Sequence, residues 1–139
     1  MYTKVCSARE AAALVKDGAF LVCGGNMNSC LAEEICIALE DRFKEEGHPQ
    51  NMTIMSGSGV GDMGPVGGVQ RGFEHFAHEG MIRRVIVGHN GSNHTIMQMQ
   101  QDLKVESYNF PQGVIEHMFR SRAKGLDVEL SRVGIGTFV

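Results

Sequence analysis

Gln112 and Gly113 are the residues whose types and position most favour chemistry on a small molecule. Residues 104–108 alternate and predict a short strand, which Pro111 ends because proline offers no N–H to a sheet and its φ suits a helix start. Apolar side chains at helical spacing follow within residues 114–119. Gln112 therefore lies where a strand gives way to a helix, the position at which open α/β sheets bind ligands. A neutral amide can donate and accept hydrogen bonds there, although an ordinary surface glutamine is the alternative.

Phosphate and metal sites are less well supported. Gly24 and Gly25 precede a predicted helix, and glycines at a helix start favour anions. However, the sequence contains neither the dinucleotide-binding glycine pattern nor the P-loop pattern. His75 and His78 share a helix face, but no recognised set of zinc ligands surrounds them. We therefore expect no metal.

The serine and cysteine residues form no recognisable pair of nucleophile and base. Ser56 and Ser58 lie at the end of a predicted strand, but no motif places a base beside them. No CxxC pair occurs, so we expect the cysteines to be reduced and structural. They are Cys6, Cys23, Cys30 and Cys36.

The composition is that of a soluble, single-domain protein. The 139 residues are 42% hydrophobic and 21% charged, with a net charge of −3, so no basic surface for nucleic acid is indicated. No apolar run has the length of about 18 residues that a membrane span needs. The first residues, Met1 to Lys4, are not followed by the apolar region of a signal peptide. We expect a cytoplasmic location, with an organelle matrix as the alternative.

The order of the predicted elements indicates an α/β fold with a mainly parallel sheet flanked by helices. Strands are predicted within residues 19–23, 51–56, 84–88 and 104–108, and helices begin near residues 7, 31, 73, 92 and 112. The strand at 19–23 is continuously apolar, so we expect it to be buried on both faces. The glycine-rich segment 57–72 is long enough to be functional or disordered.

Several stretches, taken in order and spacing, resemble the N-terminal region of family I CoA-transferases, the group that includes acetate, propionate and 3-oxoacid CoA-transferases. The matching residues are 7–18, 39–43, 47–49, 75–80, 84–89, 108–115 and 133–139. The last two stretches, 108–115 and 133–139, are the most specific.

This resemblance implies an N-terminal, alpha-subunit-like domain over residues 1–139 with a NagB/RpiA-like fold, possibly incomplete and part of a longer enzyme. Such enzymes move CoA from an acyl-CoA, such as acetyl-CoA or a 3-oxoacyl-CoA, to a short-chain carboxylic acid through a glutamyl-CoA thioester. The nucleophilic glutamate is expected beyond residue 139, so this chain alone is expected to be inactive. The resemblance also implies no permanently bound cofactor, a C-terminal half or beta subunit as partner, and a homo-oligomer.

The resemblance assigns substrate binding to Gly24, Gly25, Asn26, Gln112 and Gly113. The loop after the two glycines departs from the family pattern, which has an aromatic residue where this chain has Asn26. A non-catalytic ligand-binding module of the same fold is therefore the second interpretation. An enzyme similar to the phosphosugar isomerases is the third, because one sheet topology serves several chemistries.

Overall fold

A computed structural model describes residues 5–61 and 70–137. Residues 1–4, part of the predicted glycine-rich segment (62–69) and the last two residues of the apolar tail lie outside the described residues. Four parallel strands form one sheet in the order β1-β2-β3-β4, which confirms the predicted parallel sheet. The strands are β1 (Phe20–Val22), β2 (Met52–Ser56), β3 (Ile82–Val87) and β4 (Glu106–Asn109).

The helices begin and end at residues that the sequence marks. Ser7 and Glu10 form the capping box of the first helix, Gly47 ends the second in the left-handed conformation with φ 75°, and Pro111 directly precedes the last. The helix predicted near residue 73 is a 3-10 turn. The helices are α1 (Ala8–Ala12), α2 (Glu33–Glu46), α3 (His94–Gln101) and α4 (Gln112–Ala123), with the 3-10 turn at Gly72–Phe76. None of the helices described here combines the length and apolarity needed to cross a membrane.

One face of the sheet carries the hydrophobic core. Helices α1, α2 and α3 and the 3-10 turn pack on this face, because right-handed crossovers between successive neighbouring strands leave their connections on one side. The side chains of alternate strand residues, such as Ile54 and Val85, point into the core. Its largest fully buried apolar side chains are Leu39, Met52, Ile54, Phe73, Phe76, Met81 and Ile96.

The opposite face of the sheet is only partly covered. Phe20 and Val22 of β1 are 59% and 49% exposed on this face. The prediction that the strand at 19–23 is buried on both faces is therefore wrong. The reason is that α4 and the segment following it stand away from β1 across an apolar groove of about 650 Å³, into which Met118 and Phe119 project from α4.

Candidate functional site

The carboxyl ends of the four strands meet at one edge of the sheet, and Gln112 lies at this edge. Gln112 is the first residue of α4 and packs against the glycines that follow β2 and β3. A methyl group on Gly88 would lie 3.4 Å from Gln112 Cα and would collide with the carbonyl oxygen of Gly57. Two strand ends and a helix start therefore approach one another as closely as their backbones permit.

Asn26 reaches the same place from the loop that follows β1. The Ser58 hydroxyl donates a hydrogen bond of 3.0 Å to Asn26 Oδ1. The backbone N–H of Met27 donates to the carbonyl oxygen of Gly59 at 2.8 Å, and the N–H of Gly61 donates back to Met27 at 3.2 Å. These bonds join the loop after β1 to the segment after β2, so that Asn26 and Gln112 converge on the adjacent residues Gly57 and Ser58.

The three glycines of the predicted site differ in their surroundings. Gly25 has a φ of 119° and turns the loop so tightly that a methyl group would lie 3.2 Å from the carbonyl oxygen of Ser29. A methyl group on Gly24 or Gly113 would meet no atom within 4 Å. Gly113 lines a separate hollow of about 360 Å³ beside the chain around Val133. The open side of Gly113 therefore faces this hollow, while its backbone directly follows Gln112 in the first turn of α4.

Glu116 belongs to this edge although sequence reasoning missed it. A methyl group on Gly57 would collide with Glu116 Oε1, which shows that the carboxylate lies directly beside the Gly57 backbone. Gln112 and Glu116 are four residues apart in α4 and so share a helix face. That spacing is the signal that could have identified Glu116.

Buried polar side chains lie at the ends of β2 and β3, and of these only Ser56 was considered from the sequence. Six side-chain atoms have less than 1 Å² exposed and no hydrogen-bond partner among the residues that the structure describes, and four of them lie at these strand ends: Ser56 Oγ, Asn90 Nδ2, Ser92 Oγ and Asn93 Oδ1. A methyl group on Gly59 would lie 2.7 Å from Ser92 Oγ, so the polar atoms press against the glycine-rich backbone. Buried polar groups normally have a partner, so these atoms are suited to a bound water or ligand.

The cysteines near the sheet are poor nucleophiles. Burial raises the pKa of Cys23 to about 11 and that of Cys36 to about 12, which keeps both thiols neutral at ordinary pH. None of the four cysteines is bonded to another, as predicted. The described residues also include no group of three or more His, Cys, Asp or Glu side chains placed to hold a metal.

His75 and His78 bind a buried carboxylate rather than standing as metal ligands. His75 Nδ1 lies 2.6 Å from Glu40 Oε2, and His78 Nε2 lies 2.7 Å from Glu40 Oε1, to which Lys44 Nζ also binds at 2.8 Å. Burial alone would raise the pKa of the Glu40 carboxyl. The hydrogen bonds from Lys44, His75 and His78 outweigh burial and lower that pKa to about 2.

Comparison with known proteins gives consistent matches. The family profile described as Coenzyme A transferase matches residues 5–139. The chain is 35% identical over 136 residues to caffeate CoA-transferase of Acetobacterium woodii, covering 98% of this chain and 25% of that protein. It is 35% identical over 136 residues to acetate CoA-transferase YdiF of Escherichia coli K12, covering 97% of this chain and 25% of that protein.

A solved structure gives the same match in three dimensions. The YdiF acyl-CoA transferase of E. coli O157:H7, in a thioester complex with CoA, superposes with a TM-score of 0.89 at 33% identity. The superposition covers 96% of this chain and 27% of that one. The chain thus spans about a quarter of the length of the relatives it matches.

The close approach at Gly88 predicts a strong effect of a single methyl group. We expect Gly88→Ala to lower the free energy of unfolding by about 2 kcal/mol, because the new methyl group collides with the Gly57 backbone. Gly113→Ala is the matched control in α4, where a methyl group has open space, and should leave that free energy unchanged or raise it by up to about 1 kcal/mol. Urea denaturation measures both. Equal effects of the two substitutions would contradict the geometry.

The lowered pKa of Glu40 predicts a specific dependence of stability on acid. Its pKa is lower in the folded chain than the ordinary value of 4.5, so its stabilisation is present above about pH 4.5 and is lost as the pH falls towards 2. We expect Glu40→Gln to lower the free energy of unfolding by about 3 kcal/mol at pH 7, since it removes the buried carboxylate that binds Lys44, His75 and His78. Denaturation at a series of pH values should show this difference shrinking below pH 4.5.

Glu45→Gln is the control for Glu40→Gln. Glu45 lies on the same helix and pairs with Arg9 in an exposed ion pair, so its loss should cost less than about 1 kcal/mol. The pKa assignment fails if the two variants are equally stable at pH 7, or if the Glu40→Gln difference does not shrink in acid.

Proposed function

The chain belongs to the coenzyme A transferase family, and on that premise we propose that it forms the N-terminal part of an enzyme that moves CoA between an acyl-CoA and a short-chain carboxylic acid. The observation that carries this proposal is the convergence of Gln112 and Asn26 on Gly57 and Ser58 at the carboxyl edge of the sheet. The name of the YdiF relative, an acetate CoA-transferase, favours acetyl-CoA as donor. A 3-oxoacyl-CoA is the second donor that we propose.

In the proposed reaction a glutamate carboxylate from the remainder of the enzyme attacks the thioester carbonyl. The CoA thiolate leaves, and a mixed anhydride between the acyl group and the glutamate remains. The thiolate then attacks the glutamyl carbonyl, which releases the acyl carboxylate and leaves a glutamyl-CoA thioester. The acceptor acid takes the CoA by the same two steps in reverse. This chain supplies no nucleophile and is inactive alone.

Each residue of the proposed site has a task suited to its chemistry. The Gln112 amide donates a hydrogen bond to the oxygen on which negative charge develops, as hydrogen-bond donors do for such intermediates. Gly57 and Gly88 have no side chains, so their backbone lies close to the substrate. Gly24, Gly25 and Asn26 form the part of the site that receives the acyl group. Gly113 contributes through its backbone N–H in the first turn of α4, where helix N–H groups lack helical partners.

The partly covered sheet face supports a partner for this chain. Helix α4 lies on the opposite face of the sheet from the other helices. A right-handed connection that leaves β4 and passes through α4 on that face therefore leads back in the direction of β1. Strand β1 has a neighbour on one edge only within the described sheet, and its exposed Phe20 and Val22 line the groove beside α4. We propose that the remainder of the transferase, as a C-terminal half or a beta subunit, covers this groove. We also propose a homo-oligomer in the cytoplasm.

A non-catalytic ligand-binding module of the same fold is the second candidate. It is favoured by the loop after β1, where the polar Asn26 side chain is engaged by Ser58 in place of the expected aromatic residue. In that case the carboxyl edge would bind a CoA thioester or an acid without transferring CoA.

Reconstitution separates these two candidates. The chain would be mixed with the polypeptide encoded directly downstream, and CoA transfer from acetyl-CoA to a panel of short-chain acids would be followed, with borohydride trapping of a glutamyl thioester. We expect transfer and a trapped thioester in the mixture and neither with the chain alone. A well-folded complex without transfer or a trapped thioester would support the binding module, whereas transfer by the chain alone would contradict the assignment of the nucleophile.

Gln112 should affect turnover more than stability. We expect Gln112→Ala in the complete enzyme to lower kcat about 100-fold, the usual effect of losing one donor to a developing oxyanion. Its melting temperature should stay within about 2 °C, because Gln112 is exposed. Gln101→Ala, which alters an exposed glutamine at the end of α3, is the control and should leave kcat unchanged. An unchanged kcat in Gln112→Ala would rule out this role.

A further inference from the structure

We infer that His75 is a positioning residue which, as an imidazolium cation, ties the start of α2 to the 3-10 turn and so holds together the two loops that carry Asn26 and Ser58. The inference rests on the proposed function only in assigning those two loops to the substrate. Its basis is the position of His75 between two carboxylates: Nδ1 lies 2.6 Å from Glu40 Oε2, and Nε2 lies 3.2 Å from Glu33 Oε1.

The hydrogen-bond pattern specifies the charge of the ring. An ionised carboxylate can only accept hydrogen bonds, and a neutral imidazole carries a single N–H. Both contacts are therefore hydrogen bonds at the same time only when His75 carries both protons. The ionised state of Glu40 is supported by its pKa, which burial would raise but which its hydrogen bonds lower to about 2.

The charges on α2 also favour a cation at His75. Glu33 and Glu40 contribute two negative charges, and Lys44 offsets one of them by binding Glu40 Oε1. His78 donates to that same oxygen in its neutral form as well as its charged form, so it does not need to carry a charge. A cationic His75, which is 7% exposed, offsets the second of these two negative charges.

Other charged groups also lie in and around the 3-10 turn. Arg71 directly precedes the turn. Within the turn, Glu74 Oε1 accepts the backbone N–H of Thr95 at the start of α3, and Glu74 Oε2 is buried without a hydrogen-bond partner among the described residues. The first turn of α3 contains no acidic residue and its last turn no basic residue, and His94 at its start is exposed. The charged residues of α1 are engaged away from the turn, Arg9 with Glu45 and Glu10 with Ser7.

The cluster reaches both loops through the second oxygen of Glu33. Glu33 is the first residue of α2 and so directly follows the loop after β1. Its Oε2 accepts a 2.9 Å hydrogen bond from the N–H of Gly72, the first residue of the 3-10 turn. The next N–H, that of Phe73, donates to the carbonyl oxygen of Val60 in the segment after β2. Loss of the His75 cation should therefore loosen both loops where they meet at Met27.

Amide hydrogen exchange of the chain itself tests this inference, and it requires neither CoA nor transferase activity, so its failure is distinguishable from failure of the proposed function. Protection factors of Gly72, Met27 and Gly61 would be measured at one pH in the unsubstituted chain and in variants of the cluster. We expect protection at all three to fall about tenfold when the charge at His75 or Glu33 is removed by substitution, as expected for loss of a hydrogen bond between charged groups.

Three variants make the test specific. His75→Gln should lower protection at all three amides, and Glu33→Gln, which keeps an acceptor for Gly72 but removes the charge, should do the same even if His75→Gln does not fold. His94→Gln should retain the behaviour of the unsubstituted chain. The inference is overturned by unchanged protection in a folded His75→Gln, by unchanged protection in Glu33→Gln, or by a loss confined to Gly72 that leaves Met27 and Gly61 unchanged.

Discussion

The close approach of two strand ends is the constraint on which the rest of this structure depends. The segments after β2 and β3 touch backbone to backbone at Gly57 and Gly88, and the first residue of α4 packs against both. Because the strands are parallel, every connecting loop that follows a strand starts at this one edge. The fold therefore concentrates polar groups there, among them the Gln112 amide and the Glu116 carboxylate.

The two faces of the sheet are covered to different extents. On one face, three helices and a 3-10 turn pack against the sheet to form the core. On the other face, α4 and the segment after it leave β1 uncovered. This asymmetry agrees with a chain that spans a quarter of its relatives' length. Membership of the coenzyme A transferase family sets aside the comparison with phosphosugar isomerases, and the second interpretation, a binding module, remains the alternative proposal.

Local sequence signals predicted what depends on short-range physics. Pro111 and Gly47 placed two helix boundaries, apolar runs that end at glycines placed β1, β2 and β3, and alternation placed β4. Burial of β1 could not be predicted from its apolar run, because burial depends on which elements cover a face. The location of Gln112 at the carboxyl edge was predictable from its position between strand and helix, and Glu116 could have been found from its spacing to Gln112. The buried, unpartnered Oδ1 of Asn93 was not predictable, because only the fold brings the ends of different strands together.

The central claim is that the carboxyl edge beside Gln112 receives the CoA thioester, and one structure tests it most directly. The complete enzyme that contains this chain would be crystallised after trapping with acetyl-CoA. The account predicts that the thioester carbonyl lies within hydrogen-bond distance of the Gln112 amide, next to Gly57 and Gly88. A thioester bound away from this edge, with Gln112 in contact with solvent alone, would contradict it.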